Sequence, residues 1–217
     1  MMEKIILIGG GGHCKVIIDA ILKGKQYEIE GIIDPNISIG KKVLNIPVIG
    51  KDDNLLDIYN RGIKNAFIAV GSIGDFSTIR KREEIYQKLK MIGFSLPIIV
   101  HPAAVIADEC SLDEGIFVAA GAVINSGTRV GKNTILNTLS SIDHDCQIAD
   151  FVHIAPGTNL SGGVTIGKFT HIGVGTVVNQ GINIGCNCLI GSGSVVVKDI
   201  IDNLKAFGNP CKAMEKR

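Results

Sequence analysis

One dipeptide in this chain joins a proton acceptor to a group that could tune it: His144-Asp145, within Ser140-Ser141-Ile142-Asp143-His144-Asp145-Cys146. A neutral imidazole near pH 7 can take the proton of an attacking amine or hydroxyl, and a carboxylate at its other nitrogen orients the ring and raises its basicity. Direct acyl transfer from a thioester needs such a base. Neighbours on a strand point to opposite faces, so contact between these two side chains needs a corner in the backbone. A second candidate lies near the start. Gly9-Gly10-Gly11-Gly12-His13 follows an apolar run and opens a helical pattern, where backbone amides and a helix N-terminus suit a pyrophosphate. Asp34, at the end of the next apolar run, could meet a ribose or sugar hydroxyl. Both have plainer explanations: a solvated corner for His144-Asp145, a ligand-free strand-to-helix turn for the glycines, a helix cap for His13.

The element that must position His144 is a six-residue repeat. Stepping by six from Val100 to Val196, all seventeen residues are Val, Ile or Leu. Six is no multiple of the 3.6-residue helical turn, and two-fold alternation does not single out one phase in six. The pattern predicts a solenoid of short strands and corners, three sides and 18 residues to the coil, with Ile148, Ile166 and Ile184 stacked in one column. Two places before each aliphatic the residue is small or β-branched, as at Ala122, Thr128, Cys146, Val164 and Cys188, and should fit inside a narrow prism. Just after it the residue is small or turn-prone, as at Asn125, Gly131, Asp143, Gly167 and Gly173, and is expected to take the left-handed backbone of the corner. Asp202 breaks the row, which puts the end of the solenoid near Val197. In this frame His144 points outward, and His153 and His171 stack on one face as a cofactor-facing wall. Gly162-Gly163 lies one coil above His144-Asp145, where exposed amides could steady an oxyanion. Two stacked histidines without a third ligand fall short of a metal site, so no metal is expected. His101, before Pro102 at the junction, reads as structural.

Before residue 97 the pattern is β/α alternation: strand Lys4–Ile8, a helix from about Cys14 to Leu22, strands Ile29–Ile33 and Ala66–Val70, an amphipathic helix near Ser77–Ile92, and a last strand Leu96–Val100. The expected division is an α/β, Rossmann-like domain over 1–96 and an all-β solenoid with a C-terminal tail over 97–217. About ninety residues supply only half of the usual dinucleotide-binding sheet, which favours a nucleotide-sugar site over that of a dehydrogenase.

Charge and composition narrow the classes. The 22 basic residues nearly match the 21 acidic ones and the longest basic run is Arg80-Lys81-Arg82, so no nucleic-acid partner is expected. The apolar run ending at Ile8 is too short for a secretory signal or a membrane span, which makes a cytoplasmic protein the expectation. Cys14, Cys110, Cys146, Cys186, Cys188 and Cys211 lack zinc-site or CxxC spacing and read as reduced thiols.

The aliphatic-Gly pairs Ile166-Gly167, Ile184-Gly185 and Ile190-Gly191 resemble the hexapeptide-repeat acyltransferases. With the Gly9–His13 loop, Asp34, Ala69-Val70-Gly71, Ser140–Cys146, Val152–Gly157 and Phe207-Gly208-Asn209-Pro210, the chain looks like the UDP-4-amino-sugar N-acetyltransferases and their sialic acid O-acetyltransferase and perosamine N-acetyltransferase relatives. The resemblance implies a left-handed parallel β-helix, a homotrimer with sites between subunits, and acetyl-CoA as co-substrate. It implies His144 as base and Asp145 as its partner, with His153, Gly162, Gly173, Val174 and Ser192 toward acetyl-CoA. Gly10, Gly11, Gly12, His13, Asp34, Pro35 and Gly71 fall at the sugar nucleotide. Two departures count: Asp145 is shorter than the Glu of some relatives, and Pro35 replaces an acidic residue, which leaves the nucleotide and sugar open. The implied activity is N-acetylation of a nucleotide-linked amino sugar such as a 4-amino-4,6-dideoxyhexose, for bacterial surface glycans. O-acetylation of a sialic or related sugar, a non-catalytic sugar-nucleotide scaffold and a zinc carbonic anhydrase are the rival readings.

Overall fold

Each six-residue unit contributes a two-residue strand ending on its row aliphatic, in seventeen strands (β6 to β22) from Ile99–Val100 to Val195–Val196. The computed structural model describes residues 2–72 and 76–214. Parallel pairing at a spacing of 18, as in Ile148↔Ile166↔Ile184, stacks these strands into a three-faced parallel β-helix. From Val118 to Val196 every row residue is buried, whereas Val100, Ile106 and Leu112 of the first coil are half-buried because no coil lies beneath them. The residues two places earlier are fully enclosed, as expected: Ala122, Thr128, Thr134, Cys146, Thr170 and Cys188 have no exposed surface. Most of their polar groups bond along the stack. Thr128 Oγ1 donates to the Asp143 carbonyl at 2.8 Å and Thr170 Oγ1 to the Gly185 carbonyl at 2.6 Å, while Cys146 Sγ does the same toward Ser161. The six cysteines are unpaired thiols.

Two expectations about the solenoid need correction. The left-handed corner residue stands three places after the aliphatic, not one, as at Gly127, Asn133, Asp145, Phe151, Gly163 and Phe169. The residue directly after the aliphatic is small for another reason, the nearness of the next coil. A Cβ on Gly167 would come within 2.5 Å of the Cys186 nitrogen, and one on Gly173 within 2.6 Å of the Ile190 carbonyl oxygen. The solenoid also runs past Val197. Ile200 bridges to Ile184, and β23 (Lys205–Phe207) pairs in parallel with β21 (Leu189–Ile190) before β24 (Lys212–Ala213) closes the sheet antiparallel. The last coil is two residues short, so its rungs fall at Ile200 and Ala206 instead of 202 and 208. A count by six misses them.

The N-terminal elements are β1 (Lys4–Ile8), α1 (Gly12–Gly24), β2 (Glu28–Ile33), β3 (Lys42–Val43), β4 (Ile46–Gly50), α2 (Leu55–Asn60), β5 (Asn65–Ile68) and α3 (Phe76–Ile92). The sheet order is β3-β4-β2-β1-β5, parallel except for the β3–β4 hairpin, a feature not expected from the sequence pattern. The expected strand over Leu96–Val100 shrinks to Ile99–Val100 and belongs to the β-helix, because its partner is Phe117–Val118.

The Rossmann-like unit sits on the first face of the β-helix. Ile5, Cys14, Ile17 and Ile18 share a core with Ile99, Phe117 and Ile135, and Ile79, Tyr86 and Leu89 of α3 share another with Phe151 and Phe169. The fully buried Arg82 ties them further, donating to the Val70 carbonyl at the end of β5 and to the Asn133 carbonyl at 2.7 Å. Burial pulls its guanidinium down to about 10. The loops after β1, β2 and β5 therefore meet at one edge beside the solenoid, where ligands of parallel α/β sheets bind.

Candidate active site

Asp145 is the left-handed residue of its corner, with φ 58. That turn folds its carboxylate back onto the preceding residue, and His144 Nδ1 lies 2.8 Å from Asp145 Oδ2. The contact that adjacency left open is thus made at a corner. Asp143 holds the other side: its Oδ1 accepts the His144 backbone N–H at 2.8 Å and the Asn125 amide at 3.1 Å. Hydrogen bonding to Asp145, and then the charge of Asp143, raise the His144 pKa above its ordinary value. The ring is more than half exposed and points away from the prism.

Gly162 serves this ring by having no side chain. A Cβ there would stand 2.5 Å from His144 Nε2. The expected pair of oxyanion amides one coil above is not what the corner presents, because the Gly163 N–H donates to the His144 carbonyl at 2.8 Å as part of the coil ladder.

His153 and His171 do stack, with ring centroids 4.8 Å apart and the planes nearly perpendicular. Their wall is covered by the N-terminal domain, contrary to the open face expected. His153 Nδ1 lies 2.7 Å from the Ser72 carbonyl, which makes Nδ1 the protonated nitrogen, and Nε2 lies 3.0 Å from Asn137 Nδ2. Burial, with His171 and His13 nearby, holds His153 well below the usual imidazole range, and burial alone takes His171 to about 4. Gly173, Val174 and Ser192 occupy the corner between the first and second faces, Val174 and Ser192 exposed there. His144 follows β13 (Ser141–Ile142) at the corner between the second and third faces. Within one chain the base and these residues stand on opposite edges of the second face.

The N-terminal residues converge better. Gly11, Gly12, His13, Asp34, Pro35 and Gly71 line one cavity of about 510 Å³, a size suited to a small ligand. Gly10 lies just behind, its N–H donating to Asp34 Oδ2 at 2.7 Å. Asp34 Oδ1 accepts from the Asn36 and Ile37 amides at 2.8 and 3.1 Å, so this carboxylate shapes the loop as well as facing the cavity. His13 stands edge-on to Phe117 and its Nε2 is buried without a hydrogen-bond partner among the described residues. Burial and then Arg82 lower it to about 4, which keeps it neutral. Sequence reasoning missed Arg82, Asn137 and Ser72, whose roles come from contacts across 12 to 81 residues of chain.

Residues 4–89 match the family model described as the PglD N-terminal domain. A variant of perosamine N-acetyltransferase from Caulobacter crescentus, solved with CoA and GDP-perosamine, is 35% identical over 100% of this chain and 99% of that one, with a TM-score of 0.92. The chain belongs to its family, the hexapeptide-repeat sugar acetyltransferases. The acetyltransferase domain of PglB from Neisseria gonorrhoeae, solved with acetyl coenzyme A, is a further member at 32% identity over 99% of this chain and 100% of that one, with a TM-score of 0.88. GDP-perosamine N-acetyltransferase from Escherichia coli O157:H7 is 29% identical over 143 residues, 66% of this chain and 60% of that protein's length. Among the described residues, no helix of the chain is long and apolar enough to cross a membrane.

Proposed function

We propose that the protein is an acetyl-CoA-dependent N-acetyltransferase acting on a nucleotide-linked amino sugar, a 4-amino-4,6-dideoxyhexose, in the cytoplasmic stage of surface-glycan assembly. The observation that carries this reading is an imidazole held outward by Asp145 through Nδ1 at 2.8 Å, with Nε2 lying over Gly162. The family's relatives solved with CoA, acetyl-CoA and GDP-perosamine support it. The sugar amine attacks the thioester carbonyl directly and forms the C–N bond, and His144 Nε2 takes the amine proton. Collapse of the tetrahedral adduct breaks the C–S bond, and the departing thiolate recovers that proton from the imidazolium. Asp145 stabilises the charged ring in between.

The assembly in this reading is a homotrimer. The outward positions of the second face, Val105, Val123, Ser141, Asn159, Val177 and Val195, carry no charge. Leu139 beside that face is 67% exposed despite its left-handed backbone, a cost expected where a neighbour covers the side chain. Packing two copies there would bring the His144 edge of one subunit to the Val174 corner of the next, which a single chain keeps apart. His153, Gly162, Gly173, Val174 and Ser192 then line the acetyl-CoA side.

Labelled acetyl-CoA offered with UDP-, dTDP-, GDP- and CMP-linked sugars tests the reading. Transfer to the amine of a 4-amino sugar nucleotide is expected. Label appearing only on hydroxyls of a sialic or related sugar, or no transfer to any acceptor, would overturn it.

A further inference from the structure

The cavity between the glycine loop and α3 holds a charge arrangement that the fold itself does not require. Thr78, Lys81 and Ile85, one helical face of α3, form the wall across from Gly11 and Gly12. Arg82, next in sequence, points the other way into the domain junction. Lys81 is exposed and has no ion-pair or hydrogen-bond partner among the described residues. Among the described residues it is also the one cation lining the cavity. The acidic groups there are already engaged: Asp34 accepts three backbone amides, and Asp52 lies 3.7 Å from Lys88. His13 adds a neutral imidazole whose buried Nε2 lacks a partner among the described residues.

We propose that Lys81 is a phosphate-binding residue, its ammonium group meeting the diphosphate of a nucleoside diphosphate across from the backbone N–H groups of Gly11 and Gly12. An ammonium without a partner among the described residues on one wall and the positive end of α1 on the other converge on an anion. The inference rests on the nucleotide-sugar reading of this cavity and sharpens it: the acceptor's nucleotide carries two phosphates, unlike a CMP-sugar.

Calorimetry with UDP, GDP and dTDP, and with the matching nucleosides, on wild type, Lys81→Gln and Lys81→Arg decides the matter. At low salt the Gln variant should bind the preferred diphosphate about 10-fold more weakly. Its nucleoside affinity and melting temperature should be unchanged, and Arg should recover most of the loss. The gap should narrow as NaCl rises, since the contact is charge against charge near solvent. Equal affinity of wild type and Lys81→Gln for that diphosphate overturns the role of Lys81 alone. Failure of wild type to bind any of the three nucleotides overturns the nucleotide reading of the cavity, and the proposal with it.

Discussion

Two columns of corners in this β-helix share one backbone conformation and use it oppositely. Between the third and first faces the left-handed positions are Gly115, Asn133, Phe151, Phe169, Asn187 and Asn203; between the second and third they are Gly127, Asp145, Gly163 and Gly181. Bulky side chains at positive φ are rare because Cβ crowds the carbonyl, at about 1–2 kcal/mol each. Phe151 and Phe169 offset that strain by packing. They stack at 5.6 Å, meet Tyr86 of α3, and lie under the Arg80 guanidinium, 3.9 Å from the Phe169 ring. Asp145 has no such compensation, since its side chain is 71% exposed. What it does instead is hold His144. Strain offset by burial marks the joint between domains, whereas at Asp145 the same backbone sets a carboxylate against the ring of the proposed base.

Substitutions can break this contrast, starting with the most damaging. His144→Ala should lower kcat by about 10²- to 10⁴-fold with little change in KM or melting temperature; undiminished turnover would remove the proposed base. Phe169→Gly frees the backbone but empties the joint, and should destabilise the fold by roughly 3 kcal/mol in denaturant titration. Acid should act on the joint as well. His13 and His171 resist protonation until about pH 4, while their unfolded forms bind protons from about 6.5. The unfolded chain takes up more protons throughout that interval, so stability present above it should be lost as pH falls from 6.5 to 4, as melting in a pH series would show. Asp145→Gly should do the reverse of Phe169→Gly, keeping or raising stability by up to ~1 kcal/mol while kcat falls about 10-fold. The finest test is the acid limb of kcat/KM. In the proposed mechanism His144 acts when neutral, and Asp145 raises its pKa, so Asp145→Asn should move that limb to lower pH.

The solenoid was legible because one phase in six is aliphatic without exception, and a column buried in every coil tolerates nothing else. His144-Asp145 stood out because charged pairs are few along that row, although only the φ of Asp145 brings the two together. The glycines after the aliphatics were misread. Composition reports that a residue must be small, and cannot say whether the backbone twists there or another coil passes close. The joint was illegible for a different reason. Phe151 and Phe169 look like corner residues in an unfavourable place until α3 lies over them, and Arg82 looks like part of a surface charge run. The β3–β4 hairpin escaped notice because two-residue strands joined at Leu44-Asn45 carry no alternation to count.

The shortened coil at Ile200 shows where this architecture can be edited. Dropping two residues there re-phases only the final rung and the closing hairpin. The same loss at residue 130 would carry every later residue two places out of phase, setting side chains such as Asp150 and Lys168 where the row aliphatics Ile148 and Ile166 now pack. Length changes in such a protein are therefore confined to its C-terminal rim or to whole turns of the screw, and fusions or trims made at that rim should leave the column above Ile184 in register.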